Sequence, residues 1–196
     1  MSIITKPNRL IPLLAGLQAF GPLSIDMYLP ALPAIAQDLN TTEAATQQSV
    51  SSFLLGLFIG MLFYGPLSDK YGRQKLLIGG IVLYVVASIF CLLVDTAQEL
   101  LVWRFVQAIG GAAASVLGRA IVRDIFPIQE APRVLSLMHF VTMFATLLAP
   151  LLAGYILLIG PWRWLFAGLI IYSSILLCFT VLKIPETHQG ISRNSS

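Results

Sequence analysis

Six apolar runs, each long enough to cross a bilayer, constrain this chain more than any other feature. They cover residues 10–36, 49–67, 76–94, 100–122, 134–159 and 162–182. About 20 apolar residues span a hydrocarbon core roughly 30 Å thick, and backbone amides immersed there must find partners within their own segment, as helices provide. The expected fold is therefore an all-α membrane protein with six transmembrane helices. Residues 1–183 form one helical domain, and 184–196 read as a polar cytoplasmic tail at the start of a central loop. Apolar residues make up 57% of the chain and charged ones 11%, where a soluble domain carries roughly a quarter charged, so water is excluded as the main solvent. The first run continues well past signal-peptide length with no Ala-x-Ala site before Asp26, so it is read as a retained span.

Charge gives the orientation. Of the twelve Lys and Arg residues, ten fall on one side if the spans alternate: Lys6, Arg9, Lys70, Arg73, Lys75, Arg119, Arg123, Arg133, Lys183 and Arg193. Arg163 stands on the other side with Asp38, Glu43, Asp95 and Glu99. Cytoplasmic loops are enriched in Lys and Arg, which places both termini in the cytoplasm. Basic residues spread over several short loops do not make a nucleic-acid face. Cys91 and Cys178 lie inside spans as small apolar filler, and no Cys/His spacing suggests a metal site. Trp103, Trp162 and Trp164 fall near the outer interface, where amphipathic rings act as anchors.

Between the second and third spans, residues 65–75 form a charged, glycine-punctuated turn, Gly65-Pro66-Leu67-Ser68-Asp69-Lys70-Tyr71-Gly72-Arg73-Gln74-Lys75. Gly72 can take a left-handed backbone, and the basic residues alone would serve to set orientation. The spacing of Gly65, Asp69 and Gly72 resembles the loop between spans two and three of the major facilitator superfamily. Ile25-Asp26-Met27-Tyr28-Leu29-Pro30-Ala31-Leu32-Pro33, with Arg123-Asp124-Ile125-Phe126-Pro127 after span four, is similar to the bicyclomycin-resistance (Bcr/CflA) group of drug/proton antiporters. The resemblance covers an N-terminal half only. It implies proton-driven efflux of drugs or small amphipathic molecules across a bacterial inner membrane, with no cofactor beyond the proton gradient. A second half, missing here or supplied by another half-size chain, is the partner it implies. It also implies a gate latch built from Gly65, Asp69, Lys70, Gly72, Arg73, Lys75 and Arg123, in which Gly65 permits a close helix contact and Asp69 joins a charge network with Arg123 as its partner.

Inside the spans two charged residues need an explanation, Asp26 and Arg104, since an ionisable group there costs about 2.5–3.5 kcal/mol on insertion scales. Counting along the helices, their depths differ by about 9 Å, close enough for a direct or water-bridged pair. Such a pair could carry the coupled proton or simply fix packing. Gln18, eight residues before Asp26, shares its helical face and could contact a cavity or a neighbouring helix. Arg104-Phe105-Val106-Gln107-Ala108-Ile109-Gly110-Gly111-Ala112 resembles the fourth-span motif of the superfamily, with Ala108 where Gly is usual. There Arg104 is tied to proton coupling, and Ala108 predicts a slightly wider helix contact. Tyr28 and Gln107 are further cavity candidates. Ala149, Pro150 and Gly154 resemble the antiporter motif of span five, a seam where small residues allow close approach. His139 lies near the cytoplasmic end of span five and is left out of the site. Two other readings remain: a truncated or non-transporting half that keeps the fold, and an intramembrane hydrolase using Ser136 and His139, for which no oxyanion hole is evident.

Overall fold

The computed structural model describes residues 10–184. Those residues are helical and joined by short turns. The helices are α1 (Ile11–Gln18), α2 (Phe20–Asp26), α3 (Leu32–Asp38), α4 (Glu43–Tyr71), α5 (Arg73–Leu93), α6 (Ala97–Ile125), α7 (Ala131–Ile159) and α8 (Arg163–Lys183). A 3₁₀ turn, Leu29–Ala31, links α2 to α3. Helices α4 to α8 are each long and apolar enough to cross a membrane. The chain is a multi-pass membrane protein.

The first span is broken, and its prolines explain the breaks. Pro22, Pro30 and Pro33 lack the amides that would bond the carbonyls of Gln18, Asp26 and Leu29, so the run divides into α1, α2, the 3₁₀ turn and α3. At the second break the Tyr28 amide turns to the Ile25 carbonyl at 3.0 Å. The Ser24 carbonyl is left to a side chain, described below.

The helices outrun the apolar runs at the loops. Helix α4 passes through Pro66 to Tyr71, and the expected turn at 68–75 shrinks to Gly72 with φ 93°, after which α5 begins at Arg73. Hydropathy marks where the hydrocarbon ends, whereas polar residues continue to satisfy the helical ladder in water. On the opposite side, Thr42 and Thr96 cap α4 and α6 by accepting from the Ala45 and Glu99 amides at 3.2 Å. Ile184 is buried, and its carbonyl accepts from Gln74 at 2.6 Å, so the tail cannot start before residue 185. The rest of the predicted tail, with Lys6, Arg9 and Arg193, lies outside the described residues.

Helix α6 is the centre of the bundle: 61% of its apolar window is buried, against 17% for α4 and α7. Its alanines and glycines let α4, α5 and the first span close around it. A Cβ on Gly56 would meet the Phe105 carbonyl, and one on Gly60 the Ala112 side chain. The fourth-span motif thus closes without Gly at 108. Ala108 is fully buried and Gly56 opposite it supplies the missing space, so the expected widening does not occur.

The end that carries the α7–α8 turn is fastened by a clasp. Trp162 Nε1 donates to Asp38 at 3.0 Å, Arg163 pairs with the same carboxylate, and Arg163 Nη2 donates to the Val94 carbonyl at 3.0 Å. Trp162 is therefore buried rather than an interfacial anchor, and Trp103 stacks on Phe90 at 4.0 Å; Trp164 remains exposed. The Trp162 hydrogen bond and then Arg163 hold the Asp38 carboxyl below the usual aspartate value. A depressed folded pKa stabilises above the unfolded value and is lost as pH falls through the folded one. Asp38→Asn is thus expected to lower thermal stability near neutral pH by less than about 1 kcal/mol. Thermal melts of the two proteins should converge once the pH falls well below about 4.

Candidate functional site

Arg104 is fully buried in the middle of the bundle, where α6 faces α2, α4, α5 and α8. Its Nη1 donates to Gln107 Oε1 at 2.7 Å, and its Nη2 donates to the freed Ser24 carbonyl at 3.0 Å. The rings of Phe53, Tyr28 and Phe166 surround the guanidinium at 4.1, 4.3 and 5.9 Å. The network continues outward: Gln107 Nε2 donates to Ser88 Oγ at 2.7 Å, Ser88 to the Tyr84 carbonyl, and Tyr84 shares a hydrogen bond with Ser24. Tyr28 is itself fixed by Ser49 at 2.6 Å. Every partner is neutral, so this is a charge solvated by carbonyls, amides and aromatic faces.

The expected Asp26–Arg104 pair does not form. Ser24 and Asp26 are two residues apart, about 200° around a helix, so the turn that offers the Ser24 carbonyl to Arg104 aims Asp26 the other way. Asp26 is half-buried beside the Thr146 hydroxyl of α7, and no Lys or Arg pairs with it among the described residues. The cavity candidates change character as well. Tyr28 and Gln107 are buried under and beside Arg104, and Gln18 is buried with its Nε2 2.7 Å from His139 Nδ1.

Two polar faces therefore meet along the first span and α7. Gln18 faces His139 and Asp26 faces Thr146, with the Thr142 hydroxyl between them on the Met138 carbonyl at 2.9 Å. His139, Thr142 and Thr146, spaced three and four apart, lie on one face of α7. Sequence reasoning missed His139 and Thr146. The matching spacing of Gln18 to Asp26 and His139 to Thr146, eight and seven residues, was the available signal. Since its Nδ1 faces Gln18, His139 is not paired with Ser136 as a hydrolase would require.

At the end that carries the α4–α5 turn, Gly65, Ser68, Asp69, Arg73, Arg119 and Arg123 line a cleft of about 320 Å³. Arg73 bridges Asp69 at 3.6 Å and Asp124 at 2.9 Å, so the fourth-span acid joins the network where Arg123 was expected to pair with Asp69. Lys70 lies over the Tyr71 ring at 5.2 Å, and Lys75 is exposed. Gly65 and Gly154 are not close-contact glycines within this unit, because a Cβ on either meets nothing within 4 Å. Ala149, next to Pro150, is fully buried, as is Ala153. Gly56, Gly60, Gly80 and Gly110 are tight glycines at the interfaces of α6, and Gly160 is tight against the Trp164 ring.

A helical membrane unit with a buried arginine cage and a half-buried carboxylate in a broken first span is a polytopic membrane fold with a polar interior. The Major Facilitator Superfamily profile matches residues 14–196, and the chain belongs to that family. It is 41% identical over 177 residues to the uncharacterized MFS-type transporter YdgK of Bacillus subtilis, covering 89% of this chain and 44% of that protein. It is 37% identical over 174 residues to the multidrug resistance protein MdtL of Escherichia coli, covering 89% and 44%. The chain thus spans under half the length of these relatives. Among solved structures, the proton:xylose symporter XylE matches with a TM-score of 0.76 at 22% identity, over 91% of this chain and 44% of that one. A bacterial homolog of the lysosomal transporter Spinster matches at 0.79 and 15%, over 95% and 46%. These similarities give the fold, and the family is one of transporters rather than enzymes.

Proposed function

We propose that this chain is the N-terminal half of a proton-coupled transporter that exports drug-like, amphipathic small molecules from a bacterial cytoplasm across the inner membrane. Asp26 is its proton-exchanging group. The observation that carries the reading is the setting of Asp26. Its carboxyl stands at a proline-made break in a membrane span, beside a neutral hydroxyl and without a paired cation among the described residues, so it can exist charged or neutral across a cycle. Similarity to MdtL supports a multidrug substrate range. The excess of Lys and Arg on the loops at 68–75 and 123–133 supports a cytoplasmic placement of both termini. In this role Arg104 is a positioning residue that holds the broken span, and the Asp69–Arg73–Asp124 network is the cytoplasmic latch.

The test is efflux of a fluorescent amphipathic cation such as ethidium from vesicles that contain the complete transporter, driven by an imposed pH gradient. Asp26→Asn should abolish gradient-driven accumulation, a loss of at least about a hundredfold, as expected when the proton-exchanging group of the first span is removed. Exchange of substrate down its own gradient should persist. Undiminished uphill transport by that variant would remove Asp26 from the proton path.

A further inference from the structure

We infer that Gln18 and His139 form a proton-operated amide switch between Asp26 and the cytoplasm, with His139 as a second proton carrier. This rests on the proton-coupled reading above. Gln18 is 7% exposed, and its Oε1 is buried without a hydrogen-bond partner, while its Nε2 lies 2.7 Å from His139 Nδ1. An amide nitrogen can only donate, so this arrangement requires a lone pair on Nδ1 and places the proton of a neutral imidazole on Nε2. A protonated Nδ1 is a donor and needs an acceptor. The orphaned Oε1, on the same amide, is the acceptor in place: a half-turn of the terminal amide exchanges one hydrogen bond for the other. The side chain thus satisfies the ring in both charge states, and the amide carries its unpaired oxygen only in one.

His139 is itself exposed at the face of α7, unlike Gln18, and in the carrier role that face is wetted by the transport cavity. A proton released by the Asp26 carboxyl adds to Nδ1 and makes the imidazolium, and its loss to cytoplasmic water restores the neutral ring. The two groups stand two turns of α7 apart, about 10 Å, too far for direct transfer, so water carries the proton between them along the face that bears the Thr142 hydroxyl. The groups that bear on the ring from the elements packed against α7 are few. Asp26 lies deeper beside Thr146, and Tyr172 of α8 is held on the Gly16 carbonyl at 2.6 Å. Arg123 and Asp124 end α6, Arg119 is tied to the Ser115 carbonyl at 3.0 Å, and Lys183 ends α8. On the cytoplasmic side, Glu130 and Arg133 line a cleft of about 460 Å³ with Ile11, Val134 and Leu137, which opens towards the same seam. Among the described residues, Gln18 is the one hydrogen-bond partner of the ring.

The sequence has two histidines, so His188→Asn leaves His139 as the single imidazole to observe. Nitrogen NMR of that protein in lipid nanodiscs should give the Nε2–H tautomer at alkaline pH, with the Gln18 side-chain signal moving at the same midpoint as His139 when the pH falls. Gln18→Leu should abolish the tautomer preference and shift the midpoint. An Nδ1–H tautomer at alkaline pH, or a Gln18 signal that ignores the titration, would overturn the switch. In the complete transporter, His139→Asn should cut proton-driven efflux about tenfold and move its pH profile. An unchanged profile would overturn the carrier role. Should Asp26→Asn leave uphill efflux intact, the proton reading fails by itself, since the NMR outcome does not depend on transport.

Discussion

Arg104→Met is expected to lower the stability of the helical bundle by about 3 kcal/mol, and Arg104→Lys to recover less than half of that loss. Methionine fills much of the volume but leaves the Ser24 carbonyl and Gln107 Oε1 without their charged donors. Hydrogen bonds to charged groups are worth roughly 1.5–3 kcal/mol each, whereas ordinary bonds in membrane proteins average nearer 0.6 because the unfolded state still finds partners. Adding the lost attraction of three aromatic faces brings the sum to about 3 kcal/mol. An ammonium cannot serve two acceptors in a fork while lying flat between Phe53 and Tyr28. Reversible unfolding in mixed micelles reads the difference. Equal stability of Met and wild type would show that the cage is dispensable to the fold.

Gly110→Val should prevent assembly of the bundle altogether. A Cβ at 110 would lie 2.5 Å from the Tyr84 amide nitrogen and 2.7 Å from the Gly80 carbonyl. Both obstacles are backbone, so no rotamer change relieves them and α5 must move off α6. Overpacking that side chains can absorb costs about 1–3 kcal/mol, and this case exceeds it. By contrast, Gly65→Ala and Gly154→Ala meet open space, and each should change the stability of this unit by less than about 0.5 kcal/mol. Detergent size-exclusion profiles of the three variants compare them directly. A monodisperse Gly110→Val protein, or loss of the fold in Gly65→Ala, would reverse this ranking.

The spans were legible because hydropathy and length are properties of the chain alone, and α4 to α8 sit where the apolar runs lie. The interruptions of the first span were written there too, in Pro22, Pro30 and Pro33, but reading them requires asking which carbonyl each proline deserts. Partners were harder. Asp26 and Arg104 were matched by depth, yet which way a side chain points depends on where a helix breaks, and the break at Tyr28 sends the two apart. The gate glycine Gly65 carried its motif, while its contact, if any, lies outside these helices. His139 looked like a lone residue because its partner is 121 positions away.

The Gly56–Ala108 contact carries a consequence for how such proteins diverge. Its two sides are not interchangeable: a Cβ at 56 would lie 2.4 Å from the Phe105 carbonyl, a backbone atom that stays whatever residue occupies 108, and 3.1 Å from the Ala108 side chain. Glycine is therefore required on α4, whereas on α6 a glycine at 108 would only add room. Relatives should hold glycine at the first position and trade glycine for alanine at the second, so that half of the contact is constant while the other half looks variable.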